Sequence, residues 1–311
     1  MLGTSGGRLA AAPRPPSAVW REAALPYLLI APVTLLMGAL VLYPMGRGLL
    51  RSLYGGRDLL PRAADFVGIA NYRDLARSAE VANSVWITVM YTTGIVGLTL
   101  VISMACALLL CDEFKGRGLA RAALTVPWGT PLVASALIWY WMYDAQYGLV
   151  NFILGRLGII RASVGWLVSP SWALPAVILV DVWRLFPLGA VVLLSALTAV
   201  DRSLYEAARI DGAGGAATFR HVTLPSIRPT FGVLTLLFTI WALKRFATVW
   251  ILTQGGPAGA TDVLAVEIYR EAFRNFRMGT ASALAMVGIG ISAIIAVVYQ
   301  VLERRGGAAA V

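Results

Sequence analysis

Long apolar runs alternate with short polar intervals along this chain. An α-helix needs about 20 residues to cross the hydrocarbon core of a bilayer, and six of the runs reach that length. They lie near residues 25–45, 84–110, 120–143, 172–198, 230–253 and 281–302. The pattern therefore predicts an all-α membrane protein with six transmembrane helices.

The two ends of the chain are predicted to lie outside these helices. Residues 1–24 are rich in Ala, Arg, Pro and Gly, which is typical of a disordered tail, and 306–311 form a short C-terminal tail. The first apolar run is too long for the core of a signal peptide, and no small-residue cleavage site follows it. We therefore assign residues 25–305 to one transmembrane domain.

The polar interval 199–229 predicts a short helix between the fourth and fifth spans. Ser203 followed by Glu206 has the spacing of a capping box, in which two side chains satisfy backbone N–H groups at a helix start. Gly212 suits the left-handed conformation that ends a helix after Asp211. A helix of about two turns is unstable alone in water, so we expect the helix 203–211 to pack against another surface.

Composition supports a membrane protein. Hydrophobic residues make up 59% of the chain, charged residues 14%, and the mean hydropathy is +0.74, unlike a soluble domain. The net charge of +10 is explained by attraction of loop arginines to anionic headgroups, without nucleic acid. Basic residues number 12 on the face that carries both termini and 11 on the other, so charge does not decide the orientation.

Residue types that catalysis commonly requires are scarce. The two lysines, Lys115 and Lys244, lack the glycine-rich context of a Walker A loop, so we expect that this chain does not bind ATP in that way. One histidine, His221, and two cysteines, Cys106 and Cys111, are too few and wrongly spaced for a metal or redox site. We therefore predict a chain without a cofactor and without enzymatic activity.

The polar interval also carries a longer pattern of small, acidic, aromatic and proline residues. Its members are Tyr205, Glu206-Ala207-Ala208, Asp211-Gly212-Ala213, Phe219, Leu224-Pro225 and Pro229. This string closely resembles the cytoplasmic signature loop of permease subunits of binding-protein-dependent ATP-binding-cassette importers. Within that family it is most similar to the sugar (maltose, trehalose and glycerol-phosphate) subfamily.

The resemblance extends over residues 26–302. Matching stretches outside the signature loop lie near the ends of the predicted spans and in the loops between them. They include Tyr43-Pro44, Phe66-Val67-Gly68, Asn71-Tyr72, Arg121 to Pro127, Leu252 to Pro257 and Tyr269 to Phe273. Each match is moderate alone, and together they support the family assignment.

The resemblance implies a multi-subunit importer in a bacterial inner membrane, with both termini cytoplasmic. Its other parts are a second permease, in most cases a distinct homologous chain, a cytoplasmic ATPase dimer that binds ATP and Mg, and an extracytoplasmic binding protein. The implied solute is a di- or oligosaccharide such as trehalose or maltose. Glycerol-3-phosphate or a related phosphorylated polyol is the alternative.

The resemblance also implies that the helix 203–211 couples transport to the ATPase. The helix would dock into a cleft of that subunit, and Ala207 and Ala208 would permit a close approach. Glu206 would cap the helix or contact the partner. Asp211 and Gly212 would set the angle of the turn through which movement reaches the fourth and fifth spans.

Two pairs of charged residues lie within the predicted spans, where a central charge costs about 2.5–3.5 kcal/mol on insertion scales. Asp181 and Arg184 are three residues apart on one helical face, so they either pair with each other or face a hydrated cavity. Lys244 and Arg245 are neighbours in the fifth span and point about 100° apart on a helix. At least one of these two cations must therefore reach polar space inside the bundle.

In the resembling family the middle of the fifth span lines the substrate path. The family tends to place a basic residue near the position of Lys244 and an Asp after a Phe, whereas here Ala247 follows Phe246 and Arg245 is an additional charge. Two cations suit an anionic solute, but a second permease subunit can equally neutralise them. The sequence leaves both alternatives open.

Aromatic residues near these charges are further candidates for the path. Trp241 and Phe246 can stack on the apolar C–H faces of sugar rings. Trp250 lies closer to the outer end of the span, where tryptophan commonly anchors a helix at the membrane interface. We therefore predict a substrate path lined by Trp241 and Phe246, with Trp250 at the interface.

Two other classes of membrane protein compete with an importer subunit. A self-contained secondary transporter or channel needs no ATPase, but Asp181 is the only carboxylate in the six predicted spans that could couple to protons or sodium. A membrane-embedded enzyme should contain clustered Asp, His or Cys residues, which the sequence lacks. Both classes also leave the signature loop unexplained.

Overall fold

The computed structural model describes residues 16–56 and 65–307, which are almost entirely helical. Three short π-helical turns, Gly38–Leu42, Phe219–Thr223 and Arg270–Arg274, interrupt or extend the α-helices. The α-helices are α1 Pro16–Met37, α2 Tyr43–Arg51, α3 Ala70–Arg77, α4 Ala79–Cys111, α5 Arg117–Gly129, α6 Leu132–Met142, α7 Leu149–Arg156, α8 Pro170–Thr198, α9 Arg202–Ile210, α10 Gly215–Thr218, α11 Leu224–Leu243, α12 Ala247–Leu252, α13 Leu264–Tyr269 and α14 Met278–Gly307.

Five helical stretches in the described part of the chain are long and apolar enough to cross a membrane. They are Pro26–Arg51, Ala79–Cys111, Pro170–Thr198, Gly215–Leu243 and Met278–Val301. A sixth crossing results if the bent pair α5 and α6 forms one span. The prediction of an all-α membrane protein is confirmed, with five or six crossings by length and composition.

The third predicted span is not one straight helix. Its two halves, α5 and α6, meet at Thr130 and Pro131 at an angle of 97°. Proline disfavours the helical conformation in the residue before it, and Thr130 is accordingly extended, with φ −74° and ψ 130°. The third predicted span, near 120–143, is therefore this bent pair if the two helices form one crossing.

The N-terminal helix α1 begins at Pro16, so residues 16–24 are its first turns. A proline is well tolerated at the first helical position, because its missing N–H has no partner in a helix start. Residues 1–15 and 308–311 lie outside the described residues. At the C-terminal end, α14 runs to Gly307.

The chain divides into two units, of which the N-terminal one is residues 1–50. In its described part, α1 continues through the π-helical turn Gly38–Leu42 into α2. No residue in the most apolar window of Pro26–Arg51 is buried. This exposure suits a helix that presents its side chains to lipid, since its backbone groups are satisfied within the helix.

The second unit, residues 51–311, is organised around the contact between α4 and α8. Tyr91 and Ile95 of α4 are fully buried, together with Leu185 and Leu193 of α8. α8 is the most enclosed span, with 61% of its apolar window inside the protein. This central position places Asp181, which has no exposed surface, among other helices.

Gly189 permits the close approach of α8 to α4. A Cβ atom at this position would lie 2.4 Å from Oγ and 2.9 Å from Cβ of Ser103. The Ser103 hydroxyl donates a hydrogen bond to the backbone oxygen of Phe186, 2.9 Å away. Small residues at helix contacts in membranes allow backbones to pack tightly, and this glycine serves that purpose.

The loop before α13 is fixed by a bidentate ion pair. Arg270 donates to both carboxylate oxygens of Asp262, at 2.8 and 3.0 Å, and also contacts Glu267. Ser84 of α4 donates to the same aspartate at 3.3 Å. Burial, followed by the negative charge of Asp262, raises the pKa of Glu267 to about 7. Arg270 thus ties Asp262 in the loop to Glu267 of α13, and Asp262 in turn accepts a hydrogen bond from Ser84 of α4.

We predict that Gly189→Ala destabilises the protein. The added methyl group overlaps Ser103, so the two helices must separate or repack, and overpacking of this kind costs about 1–3 kcal/mol. Gly97→Ala in α4 is the matched control, because nothing lies within 4 Å of a Cβ there. The measurement is thermal unfolding of the full chain in detergent. Equal midpoints for the two variants would contradict the close contact.

Candidate functional site

The signature segment forms the helix α9, and its first turn is capped by Asp201. The carboxylate Oδ1 of Asp201 accepts a hydrogen bond of 2.9 Å from the backbone N–H of Ser203. That bond, with a second from the Ser203 side chain, lowers the pKa of Asp201 below its ordinary value. The predicted capping box is therefore wrong, because Ser203 lies inside the helix and Glu206 is too far along to complete the box.

The helix ends at Ile210, and Gly212, two residues later, has the predicted left-handed conformation, with a φ of +74°. The Gly212 N–H donates to the oxygen of Arg209 at 3.1 Å, and the Ala213 N–H donates to the oxygen of Ala208 at 2.9 Å. This pair of bonds is a Schellman motif, which requires a left-handed residue after the helix. A Cβ at Gly212 would meet nothing within 4 Å, so backbone conformation and not space selects glycine.

The faces of α9 differ in exposure. Ala208 is buried against the rest of the chain, whereas Glu206 and Ala207 are exposed. Two apolar side chains, Leu204 and Ile210, are 48% and 86% exposed. Apolar side chains in a polar loop leave a surface suited to a protein partner, with Ala207 and not Ala208 on it.

The fifth span is broken at the predicted path residues. The helix that begins at Gly215 ends at Leu243, and α12 begins at Ala247, so Lys244 and Arg245 lie in a non-helical segment. Lys244 is the C-cap, with φ −96° and ψ 6°. The prediction of a continuous helix over 230–253 is therefore wrong, and the two cations are not constrained to point 100° apart.

A buried carboxylate contacts the residues of this break. Asp181 of α8 has no exposed surface, and its Oδ1 lies 3.4 Å from Nε of Arg245 in an ion pair. The hydroxyl of Thr248, after the break, donates to the same oxygen at 3.1 Å, and Tyr91 of α4 donates to Oδ2. The carboxylate thus receives the cation of the unwound segment and two hydroxyl donors from neighbouring helices.

Arg184, one turn after Asp181 in α8, has a different environment. It does not pair with Asp181, since no carboxylate among the described residues lies within 4.0 Å of its guanidinium. The guanidinium lies over the ring of Trp128, 5.9 Å from the centroid, and Trp128 stacks on Trp241 at 5.8 Å. The alternative of self-pairing is wrong, and a cation–π contact replaces it.

These residues line an open cavity of about 460 Å³. Five of the six predicted path residues reach it, namely Arg184, Trp241, Lys244, Arg245 and Phe246, while Asp181 lies buried behind Arg245. Trp250 does not line the cavity; it stacks on Phe246 at 5.4 Å. The volume is in the range of small-molecule sites, and the lining combines aromatic rings with cations.

Sequence reasoning missed three members of this site, Tyr91, Trp128 and Thr248. Tyr91 and Thr248 contact Asp181 from 90 and 67 residues away, and no local pattern encodes such contacts. Trp128 lines the cavity just before the bend at Pro131. The proline at this bend is visible in the sequence. The described residues include no group of three or more His, Cys, Asp or Glu side chains that could hold a metal.

We expect Asp181→Asn to destabilise the protein by about 3 kcal/mol, because it leaves the charge of Arg245 buried without a counterion. Arg245→Gln alone should destabilise for the converse reason, and the double variant should lose less than the sum of the two. A double-mutant cycle on thermal unfolding midpoints in detergent measures this coupling. Strict additivity of the two changes would show that the ion pair contributes nothing.

Comparison with known proteins supports the family expected from the signature loop. Residues 19–306 match the family model described as binding-protein-dependent transport system inner membrane component. The trehalose/maltose transport system permease protein MalF of Thermococcus litoralis is 35% identical over 92% of this chain and 95% of its own. The sulfoquinovosyl glycerol transport system permease protein SmoG of Agrobacterium fabrum is 34% identical over 90% of each chain.

Solved structures share the fold. A chain of a bacterial alginate ABC transporter, in complex with an alginate pentasaccharide-bound periplasmic protein, superposes with a TM-score of 0.78. The alignment covers 93% of this chain and 96% of that one, at 21% identity. The match over 19–306 and the near-complete coverage of both relatives lead to one conclusion: this chain belongs to the family of inner membrane components of binding-protein-dependent transport systems.

Proposed function

We propose that this chain is one of two membrane-spanning subunits of an ATP-driven importer for a sugar, a di- or oligosaccharide such as trehalose or maltose. The observation that carries this proposal is 35% identity, over nearly the whole of both chains, to a permease named for trehalose and maltose transport. The aromatic cavity beside the Lys244 break supports it, because flat rings suit the apolar faces of sugars.

The order of elements along the chain supports a coupling role for α9. α8, which carries Asp181 and Arg184, ends three residues before Asp201. The helix that begins at Gly215, just after the Gly212 turn, ends at Leu243 beside Lys244. A displacement of α9 therefore acts on two of the helices that line the cavity, α8 and α11.

The remaining parts of the proposed importer follow from this role. A cytoplasmic ATPase dimer binds ATP and Mg, hydrolyses the nucleotide and contacts the exposed face of α9 through Ala207, Leu204 and Ile210. Both termini lie in the cytoplasm, because α9 must face that ATPase. A second permease completes the membrane part, and an extracytoplasmic binding protein delivers the solute.

A phosphorylated polyol such as glycerol-3-phosphate is the second candidate solute. The observation that favours it is the presence at the cavity of two cations, Arg184 and Lys244, that have no carboxylate within 4.0 Å in the described part of the chain. The same machinery would import either kind of molecule. The two candidates differ only in the chemical group that meets the cations.

Uptake measurements test the proposed function. We expect deletion of the gene to abolish uptake of at least one labelled saccharide or of glycerol-3-phosphate, and a plasmid copy to restore it. Trehalose, maltose and glycerol-3-phosphate are the first solutes to measure, followed by acidic sugars. Unchanged uptake of an unrelated amino acid is the control for membrane energisation. Normal uptake of every sugar and polyol in the deletion strain would contradict the proposal.

We predict that Gly212→Val uncouples transport from ATP hydrolysis. A left-handed backbone costs an L-residue roughly 1–2 kcal/mol, and more for a β-branched side chain, so the turn after α9 shifts. Solute imported per ATP hydrolysed should fall about tenfold in proteoliposomes that contain the complete importer. The measurement compares transport and ATPase rates in the same preparation.

Gly214→Val is the matched control. Its φ is −72° with ψ 167°, an extended conformation that valine adopts readily, and a Cβ there also meets nothing within 4 Å. The two variants therefore add the same side chain to the same exposed turn and differ only in backbone strain. If both variants, or neither, lost coupling, the left-handed turn would not be the element that transmits movement.

A further inference from the structure

The cavity beside the Lys244 break carries more positive charge than the protein neutralises. Three cations reach it, Arg184, Lys244 and Arg245. The nearest carboxylate, Asp181, is fully buried and occupied by the ion pair with Arg245 and by two hydroxyl donors. Among the described residues, Arg184 and Lys244 have no carboxylate within 4.0 Å.

The guanidinium of Arg184 is held in place but not satisfied. It is half-buried over the ring of Trp128, and its Nε is buried without a hydrogen-bond partner among the described residues. An arginine in a membrane bundle is costly unless it is paired or reaches water, and an unused donor adds to that cost. The contact with Trp128 holds the guanidinium at the cavity, where its N–H groups can form a fork for an oxyanion.

Lys244 supplies a second, adaptable cation on the same cavity. It is exposed, and as the C-cap of α11 it lies at the negative end of that helix. Trp128 and Trp241, whose rings stack with an interplanar angle of 17°, line the same cavity. The cavity thus combines aromatic rings, which suit a sugar, with cations, which suit an anion.

We infer that this cavity binds an acidic group of the solute, a carboxylate, sulfonate or phosphate attached to a sugar or polyol, through Arg184 and Lys244. The inference rests on the proposed sugar-importer function and changes its expected solute from a neutral sugar such as trehalose or maltose to an acidic sugar or polyol. Arg245 takes a positioning role, since its charge is used to neutralise Asp181 and to hold the unwound segment. A neutral disaccharide would leave the charges of both binding residues without a counterion.

Uptake by the complete importer in the deletion strain, with plasmid-borne variants, tests this assignment. Three acidic probes are compared with neutral counterparts: digalacturonate with galactobiose, 6-deoxy-6-sulfoglucose with glucose, and trehalose-6-phosphate with trehalose. We expect the gene to support uptake of an acidic member. For that probe Arg184→Gln should raise the half-saturating concentration at least tenfold, and Lys244→Gln at least threefold.

Two variants serve as controls. Arg184→Lys keeps the charge but loses the planar fork, so it should raise the half-saturating concentration clearly less than Arg184→Gln does. Arg156→Gln removes a guanidinium that also lies over an aromatic ring, 5.3 Å from the centroid of Phe152, but away from the cavity, and should have no effect. Co-purification of the ATPase and the second membrane subunit verifies that each variant assembles.

Each other outcome counts against the assignment. Uptake of neutral members only, or acidic uptake that is insensitive to both Arg184→Gln and Lys244→Gln, would overturn it while the sugar-importer function stands. Loss of the second membrane subunit from both variants would show that the cations pair with that subunit instead. Normal uptake of all six probes and of every other sugar or polyol in the deletion strain would refute the proposed function itself, and this inference with it.

Discussion

The neutralisation of one buried carboxylate governs the central part of this structure. Asp181 lies in the most enclosed helix, α8, where an unpaired charge would cost several kcal/mol. The charge of Arg245 meets that need, and it does so from a segment that has left the helical conformation. The ion pair thus joins the non-helical segment after Leu243, which lines the cavity, to the centre of α8.

The need to neutralise Asp181 also distinguishes the two arginines that line the cavity. Arg245 has its charge balanced, whereas Arg184, only three residues from Asp181, is supported by an aromatic ring. Cation–π contacts hold a guanidinium without cancelling its charge. The protein therefore stabilises the geometry of Arg184 and leaves its electrostatic attraction directed at whatever enters the cavity.

Much of the fold could be predicted from the sequence because the signals are local. Apolar runs gave the membrane helices, and Gly212 gave the end of α9, since each depends on neighbouring residues only. The start of α9 was mispredicted because Asp201 and Ser203 are both good capping residues two positions apart, and their sequence context does not rank them. The bend at Pro131 was encoded locally, but one proline in an apolar run does not distinguish a mild kink from a complete break of the helix.

The candidate site was predictable in part of its membership but not in its geometry. Cost arguments for charges in spans singled out Arg184, Lys244 and Arg245, which line one cavity in the structure. The partner of Asp181 could not be found in this way, because the nearest cation in sequence is not the nearest in space. Contacts between residues 60 or more positions apart depend on how α4, α8 and α11 pack, which no single-sequence pattern specifies.

The helix from Gly215 to Leu243 has a mechanical consequence. Its 29 residues make it about 43 Å long, and it joins the turn at Gly212 directly to the break at Lys244. A rod of that length acts as a lever: a tilt of about 5° at its first turn displaces its last turn by about 4 Å. A displacement of that size is comparable with the width of a sugar ring. Amplification by length alone can therefore turn a small movement at one membrane surface into a large change in the cavity's opening.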